Sequence, residues 1–269
     1  MTTNMIEGQS KSYQSYPETP WLVTFITAGD PDVKYTLDYM LALEKYSDVI
    51  ELGIPFSDPM ADGPTIQKAN VRALKAGTKV RDVFNVVREF REHSEKPVVL
   101  MTYYNPVYVR GVDNFVKEAK ENGVSAMIVV DLPVEESDPY LKACEKYGMD
   151  TVFLAAPNTP ENRLRVIDEV SSAFVYLVSL YGTTGARDKI PETAFRLIER
   201  AKKVCTKPVC VGFGVSKDEH VRELVRAGAD GVVVGSAIVR IIEESADEPE
   251  LAVGRIEEFV KSLRNGLVD

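Results

Sequence analysis

The sequence is poor in the residues that build metal clusters and disulfide frameworks, with two histidines and three cysteines among 269 residues. Cys144, Cys205 and Cys210 cannot all pair within the chain, and no CxxC motif or Cys/His ligand spacing occurs, so we predict reduced, buried thiols. His93 ends a helical pattern just before a strand, and His220 lies inside another, so both are predicted to be surface or helix-end residues. From this set we expect no metal site.

Positive charge and long apolar runs are also scarce. With 32 Lys and Arg against 41 Asp and Glu, the formal net charge is −9, and a nucleic-acid backbone would be repelled. No apolar run reaches membrane-spanning length, and the short polar segment 1–20 lacks a basic stretch followed by an apolar core. We therefore predict a cytoplasmic protein that binds neither nucleic acid nor membrane.

Short apolar runs rich in β-branched residues recur along the chain. The eight runs are Trp21–Thr27, Asp48–Gly53, Pro97–Tyr104, Ala126–Val130, Thr151–Ala156, Ala173–Ser179, Pro208–Gly214 and Gly231–Gly235. Strands that are apolar almost throughout are buried on both faces, which is typical of a parallel sheet covered by helices.

Amphipathic stretches with helical spacing separate these runs. They are Val33–Tyr46, Val80–His93, Val112–Asn122, Glu135–Tyr147, Pro160–Val170, Glu192–Val204 and Lys217–Ala227. An extra short helix, Thr65–Ala76, is predicted after the second strand, and another, Ala237–Glu244, after the eighth. Eight strand–helix units without a linker predict one α/β domain over residues 1–269, a closed (β/α)8 TIM barrel.

The active site of such a barrel lies at the C-terminal ends of its strands, and carboxylates are found there. No lysine falls within a predicted strand, and no GxSxG, Walker or Rossmann motif occurs. Glu51 interrupts an apolar run; it is either a paired structural residue or, on this rim, a proton-transferring group whose pKa burial raises. Asp58 and Asp62 follow in the next loop, where turn capping would explain either one alone. Together with Glu51, they predict a second functional carboxylate.

The last two strands end in glycine. Gly212-Phe213-Gly214 closes the seventh strand, and Gly235-Ser236 closes the eighth and opens a helix. Tight turns also need glycine, but two successive strands with a Gly-Ser helix start favour the phosphate site common to these barrels. The glycine-punctuated segment Tyr181–Arg187 after the sixth strand predicts a mobile lid.

These residues carry a family resemblance. The run Ile50–Gln67, IELGIPFSDPMADGPTIQ, resembles the signature of tryptophan synthase α subunits. The similarity continues through Phe25–Pro31, Asp131–Glu136, Thr184-Gly185, Gly212–Gly214 and Gly235–Val239, and covers roughly Trp21 to the C-terminus.

The resemblance implies roles for individual residues. Glu51 is expected to be the main acid–base catalyst, and Asp62 to hold and polarise the indole N–H. Tyr103 is expected to support Asp62, Tyr176 to lie beside Glu51, and Thr184 to lie on the lid. The expected phosphate site is Gly185, Gly214, Gly235 and Ser236, and the expected indole pocket is Phe25, Met101, Ile128 and Phe213. The expected partner interface is Pro55, Asp58, Pro59, Asn105 and Pro133.

The resemblance also implies a reaction: retro-aldol cleavage of indole-3-glycerol phosphate to indole and glyceraldehyde 3-phosphate in tryptophan biosynthesis. Two carboxylates suffice for its proton transfers, so no cofactor is expected in this chain. The indole would pass to a β subunit that uses pyridoxal phosphate, within an α2β2 heterotetramer.

Three alternatives stay open at this stage. The first is another phosphosugar barrel, such as an isomerase or epimerase; the second is a non-catalytic barrel that activates a partner; the third is a stand-alone lyase. The chain also departs from many relatives, because its N-terminal segment is weakly patterned and Leu180-Tyr181 replaces an Arg-Ser pair of the lid.

Overall fold

The strands form a closed parallel barrel. The structure, a computed structural model, describes residues 16–179 and 189–267. Within this part of the chain the strands are β1 (Trp21–Thr27), β2 (Val49–Gly53), β3 (Val98–Thr102), β4 (Ala126–Val129), β5 (Asp150–Ala155), β6 (Phe174–Val178), β7 (Val209–Gly212) and β8 (Gly231–Val234). Each strand pairs with the next, and β8 pairs with β1, so the predicted TIM barrel is confirmed.

Helices surround the barrel. They are α1 (Thr36–Glu44), α2 (Pro64–Lys75), α3 (Val80–Phe90), α4 (Tyr104–Arg110), α5 (Val112–Glu121), α6 (Asp138–Tyr147), α7 (Glu161–Val170), α8 (Glu192–Val204), α9 (Asp218–Arg226), α10 (Ser236–Glu244) and α11 (Pro249–Arg264). Short 3-10 turns occupy Val33–Tyr35, Val134–Glu136 and Asn265–Leu267. The extra helix after β2 and the short helix after β8 are confirmed as α2 and α10, while α4 and α11 were not predicted.

The barrel interior is filled with side chains up to its catalytic end. Along each strand, alternate residues face inward. The inward-facing core includes Trp21, Val23, Val49, Val99, Ala126, Ile128, Val152, Phe174, Cys210 and Val233. The residues between them, such as Leu22, Ile50, Leu100 and Val211, pack outward against the helices. The inward-facing side chains thus close the middle of the barrel, and a cavity opens where the strands end.

The predictions for the cysteines and the histidines concern residues outside the cavity. The cysteines are free, with Cys144 and Cys210 buried and Cys205 half-buried. His93 is exposed, as predicted, but His220 is buried inside α9, and its Nδ1 accepts a hydrogen bond from the backbone N–H of Ser216 at 3.4 Å. His220 thus lies in the first turn of α9, at the helix end, but it is not on the surface because α9 turns it toward the barrel beside Val221 and Leu224. No helix in the described ranges is long and apolar enough to cross a membrane.

Candidate active site

A cavity of about 580 Å³ lies at the C-terminal ends of the strands. This volume falls in the range of small-molecule sites. The described residues that line it include Phe25, Glu51, Asp62, Met101, Tyr176, Gly212, Gly214, Gly235 and Ser236. The structure thus brings together candidate residues from six different strands or the segments that follow them.

Glu51 faces into the cavity from β2. Alternation along the strand puts Val49 and Glu51 on the inner side, and Glu51 is only 1% exposed. Among the described residues, no group donates a hydrogen bond to its Oε2. Burial, and secondarily the negative charge of Asp62, raise the pKa of Glu51 from 4.5 to about 8. A carboxyl group in this state holds its proton at neutral pH and is poised to donate it.

Asp62 lies at the end of the loop that follows β2 and is 8% exposed. The hydroxyl of Tyr103 donates to its Oδ2 at 3.1 Å, and Nδ2 of Asn70 donates to the same oxygen at 3.4 Å. Burial raises the pKa of Asp62 to about 6, while these two hydrogen bonds oppose the increase. At neutral pH the cavity therefore contains a protonated Glu51 and an ionised Asp62, a separation of roles that suits acid–base chemistry.

Two tyrosines accompany the carboxyl groups. Tyr103 is buried behind Asp62: its hydroxyl also accepts from the backbone N–H of Ala61 at 3.0 Å, and its ring stacks on Phe56 at 4.8 Å. Tyr176 lines the cavity on β6. Burial, followed by the charge of Glu51, raises the pKa of Tyr176, so the phenol is neutral and available as a donor.

The described candidate phosphate residues lie at the ends of the last two strands, β7 and β8. Gly214 has φ +77°, a conformation that favours glycine. Gly235 precedes α10 and gives it no side-chain cap, and Ser236 is the first helical residue. Among the described residues the N–H groups of Ser236 and Ala237 have no partner, so they are free to meet an anion. Thr184 and Gly185 lie outside the described residues.

Glycine at position 235 has a second, steric reason. A Cβ placed there would lie 3.1 Å from Cδ1 of Phe25, and one placed on Gly53 would lie 2.8 Å from Cε2 of the same ring. The ring also packs against Ala69 of α2 and Val239 of α10. Phe25 therefore fills the space between the two helices that flank the cavity.

The apolar residues expected in the indole pocket divide into two groups. Phe25 and Met101 line the cavity, but Ile128 and Phe213 do not. Ile128 faces into the barrel but lies below the cavity floor, and Val130, two residues nearer the C-terminal end of the barrel, lines the cavity instead. Phe213 follows the inward-facing Gly212, so alternation turns it outward into the helix-facing core. Strand alternation extended to the rim would have identified Val130, and also Leu154 on β5.

The predicted partner-interface residues lie on the same rim, with one exception. Asp58, Asn105 and Pro133 are exposed and Pro59 is half-buried. Pro55 is buried, because the strand ladder continues one residue past β2 through the hydrogen bond from Ile54 N to the carbonyl oxygen of Met101 at 2.9 Å. Its side chain is therefore not on the surface that a partner would meet.

The tryptophan synthase alpha chain family model matches residues 13–268, nearly the whole chain. The chain belongs to this family. The tryptophan synthase alpha chain of Pyrococcus abyssi is 59% identical over 229 residues, which cover 85% of this chain and 92% of that protein. The alpha chain of Archaeoglobus fulgidus is 56% identical over 248 residues, covering 92% and 98% respectively. The expected family resemblance is confirmed.

A solved structure agrees with this tryptophan synthase alpha chain fold. The structure of the tryptophan synthase α2β2 complex from Pyrococcus furiosus, described as showing the basis of mutual activation, includes a similar chain with a TM-score of 0.88 and 55% identity. The match covers 92% of this chain and 99% of that one.

Proposed function

We propose that this chain is a carbon–carbon lyase that cleaves indole-3-glycerol phosphate to indole and glyceraldehyde 3-phosphate. The observation that carries the proposal is the pair of buried carboxyl groups in one cavity, with pKa values of about 8 for Glu51 and about 6 for Asp62. Family membership supports the same reaction.

The proposed cleavage uses Glu51 twice. Its carboxyl group donates a proton to C3 of the indole, which places positive charge on the ring nitrogen. The resulting carboxylate takes the proton of the adjacent side-chain hydroxyl, whose oxygen becomes the aldehyde as the carbon–carbon bond breaks and its electrons restore the aromatic ring. Glu51 ends protonated, as it began, so the protons balance.

Asp62 is proposed to stabilise the charge that develops on the indole nitrogen. Its carboxylate, ionised at neutral pH, accepts a hydrogen bond from the N–H, and this contact strengthens as the nitrogen becomes positive. The charged acceptor is buried, and such an interaction is stronger there than in solution.

The substrate phosphate is proposed to bind the amides around Gly214, Gly235 and Ser236, with Thr184 and Gly185 contributed by the segment after β6. Binding at this end orients the glycerol chain so that C3 of the indole meets Glu51. No cofactor is assigned to this chain.

A β subunit is proposed to dock on the rim of the barrel and to hold pyridoxal phosphate itself; the similar Pyrococcus furiosus chain is part of an α2β2 complex. Asp58, Pro59, Asn105 and Pro133 would contact it. Exposed apolar side chains on the same loops support this surface: Met60 is 85% exposed, and Tyr108 and Val109 of α4 are 67% and 75% exposed.

The test is release of indole from indole-3-glycerol phosphate by the isolated chain and with a β subunit. Glu51→Gln and Asp62→Asn should each lower turnover by roughly 10²-fold or more. Turnover by the isolated chain at any measurable rate excludes the non-catalytic alternative. Indole release that neither variant reduces would reject the assigned carboxyl roles, and a β subunit without effect would leave a stand-alone lyase.

A further inference from the structure

Asn70 is a buried polar residue with no part in the proposed proton transfers. It lies on α2, eight residues after Asp62, and is 3% exposed. Buried amides in folded proteins are hydrogen bonded, so the partners of Asn70 show what it holds in place.

The partners of Asn70 lie at both ends of the loop 54–63, which joins β2 to α2 and contains Asp62. Its Oδ1 accepts from the backbone N–H of Phe56 at 3.0 Å, where the loop begins. Its Nδ2 donates to the carbonyl oxygen of Ile66 at 3.0 Å and to Oδ2 of Asp62 at 3.4 Å, where the loop ends. One side chain thus ties the start of the loop to the carboxylate at its end.

The orientation of this amide is determined by its surroundings. A flipped amide would direct an NH2 group at the N–H of Phe56 and an oxygen at the carbonyl of Ile66, and would lose both bonds. The Tyr103 hydroxyl, by contrast, can rotate about its C–O bond and is shared with Ala61. Asn70 is therefore the donor whose direction toward Asp62 is fixed by the backbone.

Both donors meet the same oxygen of Asp62. In the described part of the chain no hydrogen bond reaches Oδ1, while Oδ2 receives those from Tyr103 and Asn70. Because Tyr103 and Asn70 both bind Oδ2, Oδ1 stays available to a hydrogen-bond donor inside the cavity that Asp62 lines.

We propose that Asn70 is a positioning residue for the cleavage reaction: its amide orients the Asp62 carboxylate so that Oδ1 receives the indole N–H. This inference rests on the proposed function. It is distinct from a packing role, because a hydrogen bond to the ionised carboxylate also favours ionisation and therefore leaves a signature in pH dependence.

The titratable groups that face Asp62 are Glu51 on β2, Tyr103 after β3 and Tyr176 on β6. Each remains when Asn70 is changed, so a shift in the titration of Asp62 can be assigned to the lost amide. Gln67 offers a matched control on the same helix. Its Nε2 contacts the loop only through carbonyl oxygens, at 2.9 Å from Asp62 O and 3.5 Å from Pro59 O.

The experiment compares Asn70→Asp, Asn70→Ala and Gln67→Met by the pH dependence of kcat/KM for indole release. Asn70→Asp keeps an acceptor for the Phe56 N–H but removes the donor to both Asp62 and Ile66, and its own charge adds to the upward shift of the Asp62 pKa. Asn70→Ala removes the donor without adding charge, so its shift is assigned to the lost amide alone. In both Asn70 variants the acidic limb should move up by about one pH unit. Because no hydrogen bond of Asn70 involves Gly214, Gly235 or Ser236, KM and glycerol phosphate affinity should stay within about twofold. In Gln67→Met the acidic limb should stay where it is in the wild type.

A second readout requires no substrate. The titration of the Asp62 carboxyl carbon, followed by 13C NMR and assigned with Asp62→Asn, should shift upward in the Asn70 variants. An Asp62 titration that does not move in either folded Asn70 variant, or that moves equally in Gln67→Met, overturns the proposal. Should the wild type release no indole, the proposed function fails, and the NMR titration still decides the role of Asn70.

Discussion

Replacing Glu51 by glutamine should stabilise the protein at alkaline pH while abolishing indole release. The Glu51 pKa is about 8 in the folded chain against an ordinary value of 4.5, so folding favours the protonated form. The stability associated with this proton is fully present below about pH 4.5 and is lost as the pH rises through about 8. Glutamine has nearly the same shape and stays neutral throughout, so it does not incur this loss.

The size of the effect follows from the shift. Between pH 5 and pH 9 the wild type should lose about 4 kcal/mol that Glu51→Gln keeps, because each pKa unit corresponds to roughly 1.4 kcal/mol. The glutamine N–H groups enter a site where Oε2 of the wild-type residue has no hydrogen-bond partner, donor or acceptor, among the described residues, and a donor without an acceptor costs about 1–3 kcal/mol. The variant should therefore be slightly less stable than the wild type at pH 5 and about 2–4 kcal/mol more stable at pH 9.

Urea unfolding followed by circular dichroism at pH 5, 7 and 9 measures this difference. Glu136→Gln, at an exposed position, controls for the loss of one negative charge. The growth of the difference with pH is the decisive quantity, since the cost of the amide is the same at every pH. Unfolding free energies of Glu51→Gln and wild type that run parallel from pH 5 to 9 would refute the view that Glu51 is buried in a protonated state.

Three further predictions concern other parts of the site. The kcat/KM of indole release should be bell-shaped, rising near pH 6 as Asp62 ionises and falling near pH 8 as Glu51 loses its proton; a flat profile across this range would contradict the assignment. Gly235→Val should weaken glycerol phosphate binding, measured by calorimetry, about tenfold or more, because the valine side chain meets the Phe25 ring and crowds the backbone amides. The control Gly254→Ala, whose added methyl enters open space, should bind glycerol phosphate normally; equal affinities of the two variants would mean that the phosphate binds elsewhere. Arg72 on α2 holds the buried carboxylate of Asp30 at 2.7 Å, so Arg72→Met should destabilise the chain by about 3–5 kcal/mol in urea unfolding because Asp30 loses its partner; a loss below about 1 kcal/mol would show that this ion pair is dispensable.

The sequence predicts the barrel well because its signals are local. An apolar strand between Gly-rich turns is readable from five or six residues, and the helix Pro64–Lys75 begins at a proline, which is a favourable first helical position. Glu51 is conspicuous for the same reason: a carboxyl group within an apolar strand contradicts the surrounding pattern.

The two unpredicted helices differ in what the sequence offered. α11 begins at Pro249 and buries Ala252, Ile256, Val260 and Leu263 at helical spacing, so its pattern was available. α4 has seven residues, and its first N–H, on Tyr104, is bonded to Oδ1 of Asp131 at 2.7 Å. That cap comes from the loop after the next strand, and no local pattern indicates it.

Contacts between elements also explain the errors in the candidate site. Whether Phe213 points into the barrel depends on the register of β7, where Cys210 faces inward and position 213 therefore faces outward. The burial of Pro55 depends on one hydrogen bond from Ile54 to β3. The hydrogen bonds that Asn70 makes with Asp62 and Phe56 bring together residues eight and fourteen positions away, which neither helical nor strand spacing predicts.

The two carboxyl groups differ in the elements that carry them, and this difference predicts how a docked β subunit would act. Glu51 lies on a strand within the barrel, whereas Asp62 ends a rim loop whose exposed members include Asp58 and Met60. A partner that orders this loop would tighten the hydrogen bonds to Asp62 and lower its pKa, leaving Glu51 nearly unchanged. Adding the β subunit should therefore move the acidic limb of the pH profile to lower pH and leave the basic limb in place. Asp58→Ala should reduce that displacement together with β affinity. Equal displacement of both limbs would mean that the partner acts on the whole cavity rather than through the loop.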